Sequence, residues 1–377
     1  MQQEEGRIID RQLRIGFAGA RRAHAFTGTF ARHPATMVAA VCDVLPDKAQ
    51  ELAASFGAMV YHDYDKMLDE ASLDAVVVAT PMQFHAPQAI GALRRDIAVL
   101  SEVTAAVNLD EARRLAAAAR GSQASYMLAE NYCYGRENLF LGALVKAGLF
   151  GDIYFAEGEY LHELKGKNQA TPWRRSWQTG VNGCTYGTHS LGPILQWLAL
   201  QRVTAVSCVG SGHHYRDAQG DPFEIEDTVL MLCRLSGGGL AKIRLDMLSD
   251  RPAAATNYAL QGTDGCYESA RARGEPNRVW LRNAGAGGSW SRLEDYEQEF
   301  TPDEWKNPPA DIDDYGHWGG DYFVAIDFIE VLLGQKPNPI DVDRAMDMTL
   351  PGLISQQSIG QGGVWLDVPD SRQWRDQ

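Results

Sequence analysis

The segment Gly16-Phe17-Ala18-Gly19-Ala20-Arg21-Arg22-Ala23-His24 ends an apolar run, Leu13 to Ala18, and opens helix-compatible sequence that continues through Arg32. A tight glycine turn there aims the first backbone N–H groups of the helix, from Ala20 onward, at an anion, and a dinucleotide pyrophosphate suits such a turn. The match to G-x-G-x-x-G is partial, because Arg21 stands where a second glycine would allow close approach. Arg21 and Arg22 are then candidate phosphate contacts. Asp43 closes the next apolar run, Met37 to Cys42, 24 residues beyond Gly19. That spacing suits an acid accepting hydrogen bonds from adenosine ribose hydroxyls, and its charge favours NAD over NADP by repelling a 2′-phosphate. An ordinary strand-to-helix turn and a helix-capping or turn acid at Asp43 account for the same residues.

A second cluster departs from the acidic background. Lys165, Lys167, Arg174 and Arg175 crowd around Trp173 and Trp177. Indole faces stack on sugar rings, and paired cations fit a carboxylate, sulfonate or phosphate. A solvated basic loop or a subunit contact is the competing reading.

The elements around these residues alternate. Strand-like runs at Leu13–Ala18, Met37–Cys42, Ala75–Ala79, Ile97–Leu100 and Tyr126–Leu128 are separated by helical patterns such as Pro46–Phe56, Ala86–Leu93 and Leu109–Ala119. This order predicts a doubly wound α/β domain on a parallel sheet. Beyond about Gly148 the pattern changes to longer alternating segments, Ile153–Leu161, Thr204–Val209, Thr228–Leu235, Gly239–Leu248 and Asn257–Gly262. They predict an α+β domain on a large, open, mostly antiparallel sheet. The expected division is a polar tail over 1–12, a Rossmann domain over 13–135 and a substrate-binding and oligomerisation domain over 136–377. Helices expected over Asp321–Leu333 and Asp341–Ile359 pack back near the junction. The glycine-rich Ala284–Ser291 and the Pro- and Asp-rich Asn307–Tyr315 read as loops.

Composition bounds the partners. A formal charge of -14 repels polyanions, so no nucleic acid is expected, and no apolar run reaches membrane-spanning length. The tail Met1–Gln12 lacks the apolar core of a secretory signal. The six cysteines carry no C-x-x-C pair, which fits a reducing cytoplasm and no metal site.

A resemblance sharpens this reading. Ala79-Thr80-Pro81-Met82-Gln83-Phe84-His85 and Leu100-Ser101-Glu102-Val103-Thr104, in order and spacing, resemble the glucose–fructose oxidoreductase, inositol dehydrogenase and rhizopine-catabolism (Gfo/Idh/MocA) family, over about Leu13 to Pro369. The resemblance implies that Thr80 and Glu102 lie along NAD and that Pro81 and His85 shape its pocket. It also implies dimers or tetramers formed through the broad sheet. The family's Glu-Lys-Pro triplet, which supplies a catalytic lysine, reads Glu102-Val103-Thr104 here. The proton must therefore be handled elsewhere.

Asn182-Gly183-Cys184-Thr185-Tyr186-Gly187-Thr188-His189-Ser190-Leu191-Gly192-Pro193 resembles a segment of the NAD-dependent N-acetylgalactosaminidase branch. Ala129-Glu130-Asn131-Tyr132-Cys133-Tyr134 and His317-Trp318-Gly319-Gly320-Asp321-Tyr322 resemble the same branch. This implies that Tyr186 and His189 are catalytic, that Asn131 joins the cofactor residues, and that His317 and Asp321 contact substrate or serve as a loop histidine and a helix cap. Tyrosine relays a proton from a sugar hydroxyl when an imidazole and a positive nicotinamide make it more acidic.

The implied reaction is oxidation of sugar carbon 3 by NAD, elimination of the aglycone, water addition and re-reduction. Sulfoquinovosides are one candidate class of anionic substrate. A sugar dehydrogenase that stops at the keto sugar fits the same residues. A non-catalytic Rossmann sensor of sugars or dinucleotides is a third possibility, against which the Tyr186–His189 pairing counts.

Overall fold

The computed structural model describes residues 11–198, 201–252, 256–272, 274–283 and 288–374. Most of the expected tail, 1–10, and part of the glycine-rich stretch, 284–287, lie outside the described residues. The chain divides into two compact units, the described residues of Met1–Asn131, Ala310–Met346 and Ser371–Gln377, and those of Tyr132–Pro309 and Asp347–Asp370.

In the first unit, β1 (Leu13–Ala18), β2 (Thr36–Cys42), β3 (Met59–Tyr61), β4 (Ala75–Val78), β5 (Ala98–Ser101) and β6 (Tyr126–Leu128) form a wholly parallel sheet. Their order is β3-β2-β1-β4-β5-β6, so the winding reverses between β1 and β4, where such sheets bind ligands at the carboxyl ends of the strands. Gly19 and Thr80 follow those two ends. Every residue of β4 and β5 is buried, which explains their unbroken apolar sequence. The edge strand β3 and the helix Tyr64–Glu70 were not expected. β3 is three residues long and none of its side chains is buried, so it carries no apolar signature. The helix is announced by Asp63, whose side chain accepts the Lys66 N–H at 3.0 Å. The late helix Gly320–Leu332 packs on Ala20–Arg32, with the Phe30 and Phe328 rings 6.4 Å apart. This contact carries Asp321 to Arg22.

In the second unit, β7 (Ile153–Leu161), β8 (Val203–Gly210), β9 (Val229–Leu235), β10 (Leu240–Asp246), β11 (Thr256–Gly262), β12 (Gly265–Glu268), β13 (Arg278–Leu281), β14 (Ser291–Arg292) and β15 (Leu366–Asp367) form one sheet. Its order is β14-β13-β12-β11-β7-β10-β9-β8-β15. Only β7 and β10 run parallel among the described pairs. The helix Thr188–Trp197 lies directly on β7. A Cβ added at Gly158 would stand 2.7 Å from the Ser190 Cβ, so the glycine permits that closeness. Tyr160, two residues along the strand and therefore on the same face, is brought to His189. Among the described residues no helix is long and apolar enough to cross a membrane.

Candidate active site

Gly19 adopts φ 89°, and a Cβ on it would lie 2.5 Å from the Ala79 carbonyl oxygen and 2.8 Å from the Thr80 nitrogen. Both backbone conformation and proximity therefore demand glycine, and the turn stays close to the β4 end. Gly19→Ala is expected to cost roughly 2 kcal/mol through left-handed strain and the forced carbonyl shift. The accompanying result is at least a tenfold weaker NAD Kd in a fluorescence titration.

Asp43 Oδ2 accepts the Ala20 N–H at 2.8 Å, and Oδ1 accepts the Leu45 N–H at 2.9 Å. These are the contacts of a capping and turn acid. The remaining carboxylate lone pairs stay chemically competent for ribose hydroxyls. Arg21 is exposed beside this turn. Thr80 Oγ1 donates to Gln88 Oε1 at 2.6 Å, and the ring nitrogens of buried His85 face the carbonyl oxygens of Thr80 (2.8 Å) and Thr104 (2.9 Å). His85 thus ties the Thr80-Pro81 turn to the loop after β5, and burial pushes its imidazole below the usual histidine range despite both carbonyls.

Arg22 is not a loose phosphate ligand. Its Nε donates to Glu102, and its two Nη atoms donate to Asp321 at 2.7 Å each. Asn131 Nδ2 donates to the same carboxylate at 2.8 Å, and His317 Nδ1 lies 3.0 Å from it. Residues expected separately on cofactor and substrate are one network, joined within the first unit. Burial pushes the Asp321 carboxyl up. Hydrogen bonds from His317 and Arg22, with the Arg22 charge, outweigh it and hold the group well below the usual carboxylate range. Burial likewise disfavours the Arg22 cation, but Glu102 and Asp321 together raise it further above its ordinary value. Asn131 Oδ1 is buried with no hydrogen-bond partner among the described residues, which leaves an acceptor for a donor on a bound molecule.

In the second unit, Tyr186 sits in the turn before Thr188–Trp197 and His189 in that helix's first turn. Their rings meet at 87° with centroids 5.1 Å apart. The imidazole is enclosed further by Tyr132 at 4.4 Å and Tyr160 at 5.0 Å. Tyr258 Oη donates to the His189 carbonyl at 2.5 Å, fixing the helix start. His189 is 4% exposed whereas Tyr186 is half-buried, so the tyrosine is the more accessible member of the pair. Sequence reasoning missed Tyr160 and His162. Their signal is the strand period of two, which points both side chains to one face.

The basic cluster is two short helices, Lys165–Ala170 and Pro172–Trp177, and not a loop. Lys165 Nζ is 3.0 Å from Asp250 and 4.3 Å over the Tyr215 ring. Arg175 pairs with Asp217 at 3.2 Å and lies 4.9 Å over Phe223. Lys167 Nζ meets His162 Nε2 at 3.1 Å. Arg174 stacks 4.5 Å over Trp173 and donates to Gln178 at 2.8 Å. Acidic partners thus neutralise two of the four cations, which leaves Arg174, on its indole, as the member best suited to an anion. Trp173 and Trp177 are both half-buried.

Residues 134–375 match the glycosyl hydrolase 109 C-terminal domain, and 13–130 match the oxidoreductase family with an NAD-binding Rossmann fold. A glycosyl hydrolase family 109 protein of Streptomyces filamentosus is 30% identical, over 95% of this chain and 77% of its own. An alpha-N-acetylgalactosaminidase of Shewanella oneidensis is 26% identical, over 95% and 84%. Among solved structures, levoglucosan dehydrogenase with NADH and levoglucosan superposes with a TM-score of 0.77 at 20% identity, over 96% of this chain and 100% of that one. The WlbA dehydrogenase of Bordetella pertussis with NADH and UDP-GlcNAcA has a TM-score of 0.75 at 20% identity, over 96% and 99%. At such identities the likeness is one of fold. The Gly19 turn and the matched Rossmann domain make NAD the cofactor, and the chain is a sugar-processing, NAD-dependent enzyme of glycosyl hydrolase family 109.

Proposed function

We propose that this enzyme cleaves a glycoside through transient oxidation at sugar carbon 3, elimination of the aglycone from carbon 1, water addition and re-reduction. Bound NAD supplies the two-electron oxidation and its reversal, so it is regenerated in each turnover. Gly19, Ala20, Asp43, Thr80, Pro81, His85, Glu102 and Asn131 would hold it. The cradle that a Cβ at Gly19 would fill and the partnerless buried Asn131 Oδ1 support that fit. Arg22 and Asp321 stiffen this region through their mutual ion pair. His317 supports them.

The observation that carries the reading is the ring cluster, in which half-buried Tyr186 stands against enclosed His189. Tyr186 Oη takes and returns the proton of the sugar hydroxyl, and His189 stabilises the charge that develops on the phenol. For substrate we propose a glycoside with an anionic substituent recognised by Arg174 beside Trp173 and Trp177, sulfoquinovosides included. Alpha-N-acetylgalactosaminides are the rival class, on the strength of the relatives so named.

Purified enzyme with NAD and each glycoside is expected to release aglycone over many turnovers without stoichiometric NADH. Equimolar NADH with no aglycone would instead make it a dehydrogenase. Association into a dimer or tetramer through the large sheet is supported by exposed Val209 and Leu240, which share the face of β8 and β10 turned away from helix Thr188–Trp197. Six free thiols support a reducing cytoplasm.

A further inference from the structure

Tyr160 Oη lies 2.7 Å from His162 Nδ1, and His162 Nε2 lies 3.1 Å from Lys167 Nζ. The chain begins in the ring cluster, since the 6%-exposed Tyr160 has its ring 5.0 Å from His189 and 5.7 Å from Tyr186. It ends at an exposed residue, Lys167, on the short helix after β7. An ammonium can only donate, so Lys167 donates to Nε2. That leaves the ring proton on Nδ1, from which it is donated to Tyr160 Oη. The hydroxyl therefore accepts from His162 and keeps its own proton to donate elsewhere.

We propose that Lys167 and His162 are positioning residues that polarise Tyr160 and make it the proton conduit between the ring cluster and water. This rests on the functional reading above. When a proton moves inward, Nδ1 gives one to Oη as Oη gives its own to the ring cluster, where Tyr186 returns one to the sugar oxygen, and Nζ gives one to Nε2. The neutral amine left behind recovers a proton from solvent, so protons and charge balance. Outward transfer is the reverse.

Other titratable groups leave this polarity intact. Around Tyr160 stand the rings of Tyr132, Tyr186 and His189. On the neighbouring strand the Asp246 carboxylate is taken up by Thr228, Ser249 and Arg244. Partial burial of the amine and the nearby Arg174 charge, opposed by Glu163, hold Lys167 below the usual lysine range, which favours proton exchange.

The test is nitrogen-15 NMR of the histidine rings in NAD-loaded enzyme, with His162→Gln assigning the signal, together with the pH profile of kcat/KM. The expected spectrum has His162 protonated at Nδ1 and accepting at Nε2. Lys167→Met is expected to lose that preference and to move the limb of the profile that Tyr160→Phe abolishes up by about one pH unit. Lys167→Arg, also a pure donor, is expected to restore both. An Nε2-protonated His162 in the unmodified enzyme, or an unmoved limb in Lys167→Met, would overturn the proposal. The tautomer needs no turnover to be read. The expected tautomer without glycosidase activity sinks the functional reading alone, and an active enzyme with the opposite tautomer sinks this one alone.

Discussion

Tyr186→Phe is expected to lower kcat by about a thousandfold while leaving the NAD Kd within about twofold. The substitution keeps the ring, and hence the edge-to-face contact with His189 at 5.1 Å, so packing is conserved. Only the hydroxyl is lost. Because a proton relay contributes in the transition state and not in cofactor binding, the loss should fall on kcat and kcat/KM together. Steady-state kinetics on the released aglycone, alongside a fluorescence titration of NAD, measures both. Activity within tenfold of the unmodified enzyme would remove Tyr186 from the mechanism.

Asp321→Asn is expected to be the most destabilising of the conservative changes, costing roughly 3 kcal/mol at neutral pH. The carboxylate is fully buried and takes both Arg22 Nη donors, Asn131 Nδ2 and the His317 ring. An amide leaves a half-buried cation with Glu102 as its remaining acid. The sign of the pH dependence follows from the depressed carboxyl. Its stabilising contribution is complete above the ordinary carboxylate range, about pH 4, and is lost as pH falls through the lower folded value. Urea midpoints of the two proteins should therefore be far apart at neutral pH and converge in acid. A gap that stays constant down to about pH 3 would contradict the assignment.

Much of the fold could be read from the chain because buried parallel strands are unbroken apolar runs and half-buried antiparallel ones alternate. Where burial was absent, as in β3, the signal was absent too. The candidate site was legible where the pattern is local. Gly19 and the Tyr186–His189 spacing are short-range patterns, and their local geometry is that of a glycine-only turn and a ring pair. What sequence could not display is pairing at distance. Arg22 finds Glu102 80 residues away and Asp321 299 residues away, so a cation assigned to phosphate became the centre of an internal network. Lys165 and Arg175 similarly found Asp250 and Asp217 on later loops, which cancels part of the charge that a local count credits to a ligand. Tyr160 and His162 went unnoticed because two polar residues at a strand end look like ordinary alternation until a helix carries Lys167 to the second of them.

The central claim is that bond cleavage proceeds by oxidation and elimination and not by direct displacement at carbon 1. Hydrolysis in deuterated water, with mass spectrometry or proton NMR of the sugar product, tests it most directly. Elimination removes the carbon 2 proton and water returns one, so the product is expected to carry deuterium at carbon 2. Product with only protium at that carbon, formed at the normal rate, would contradict the account.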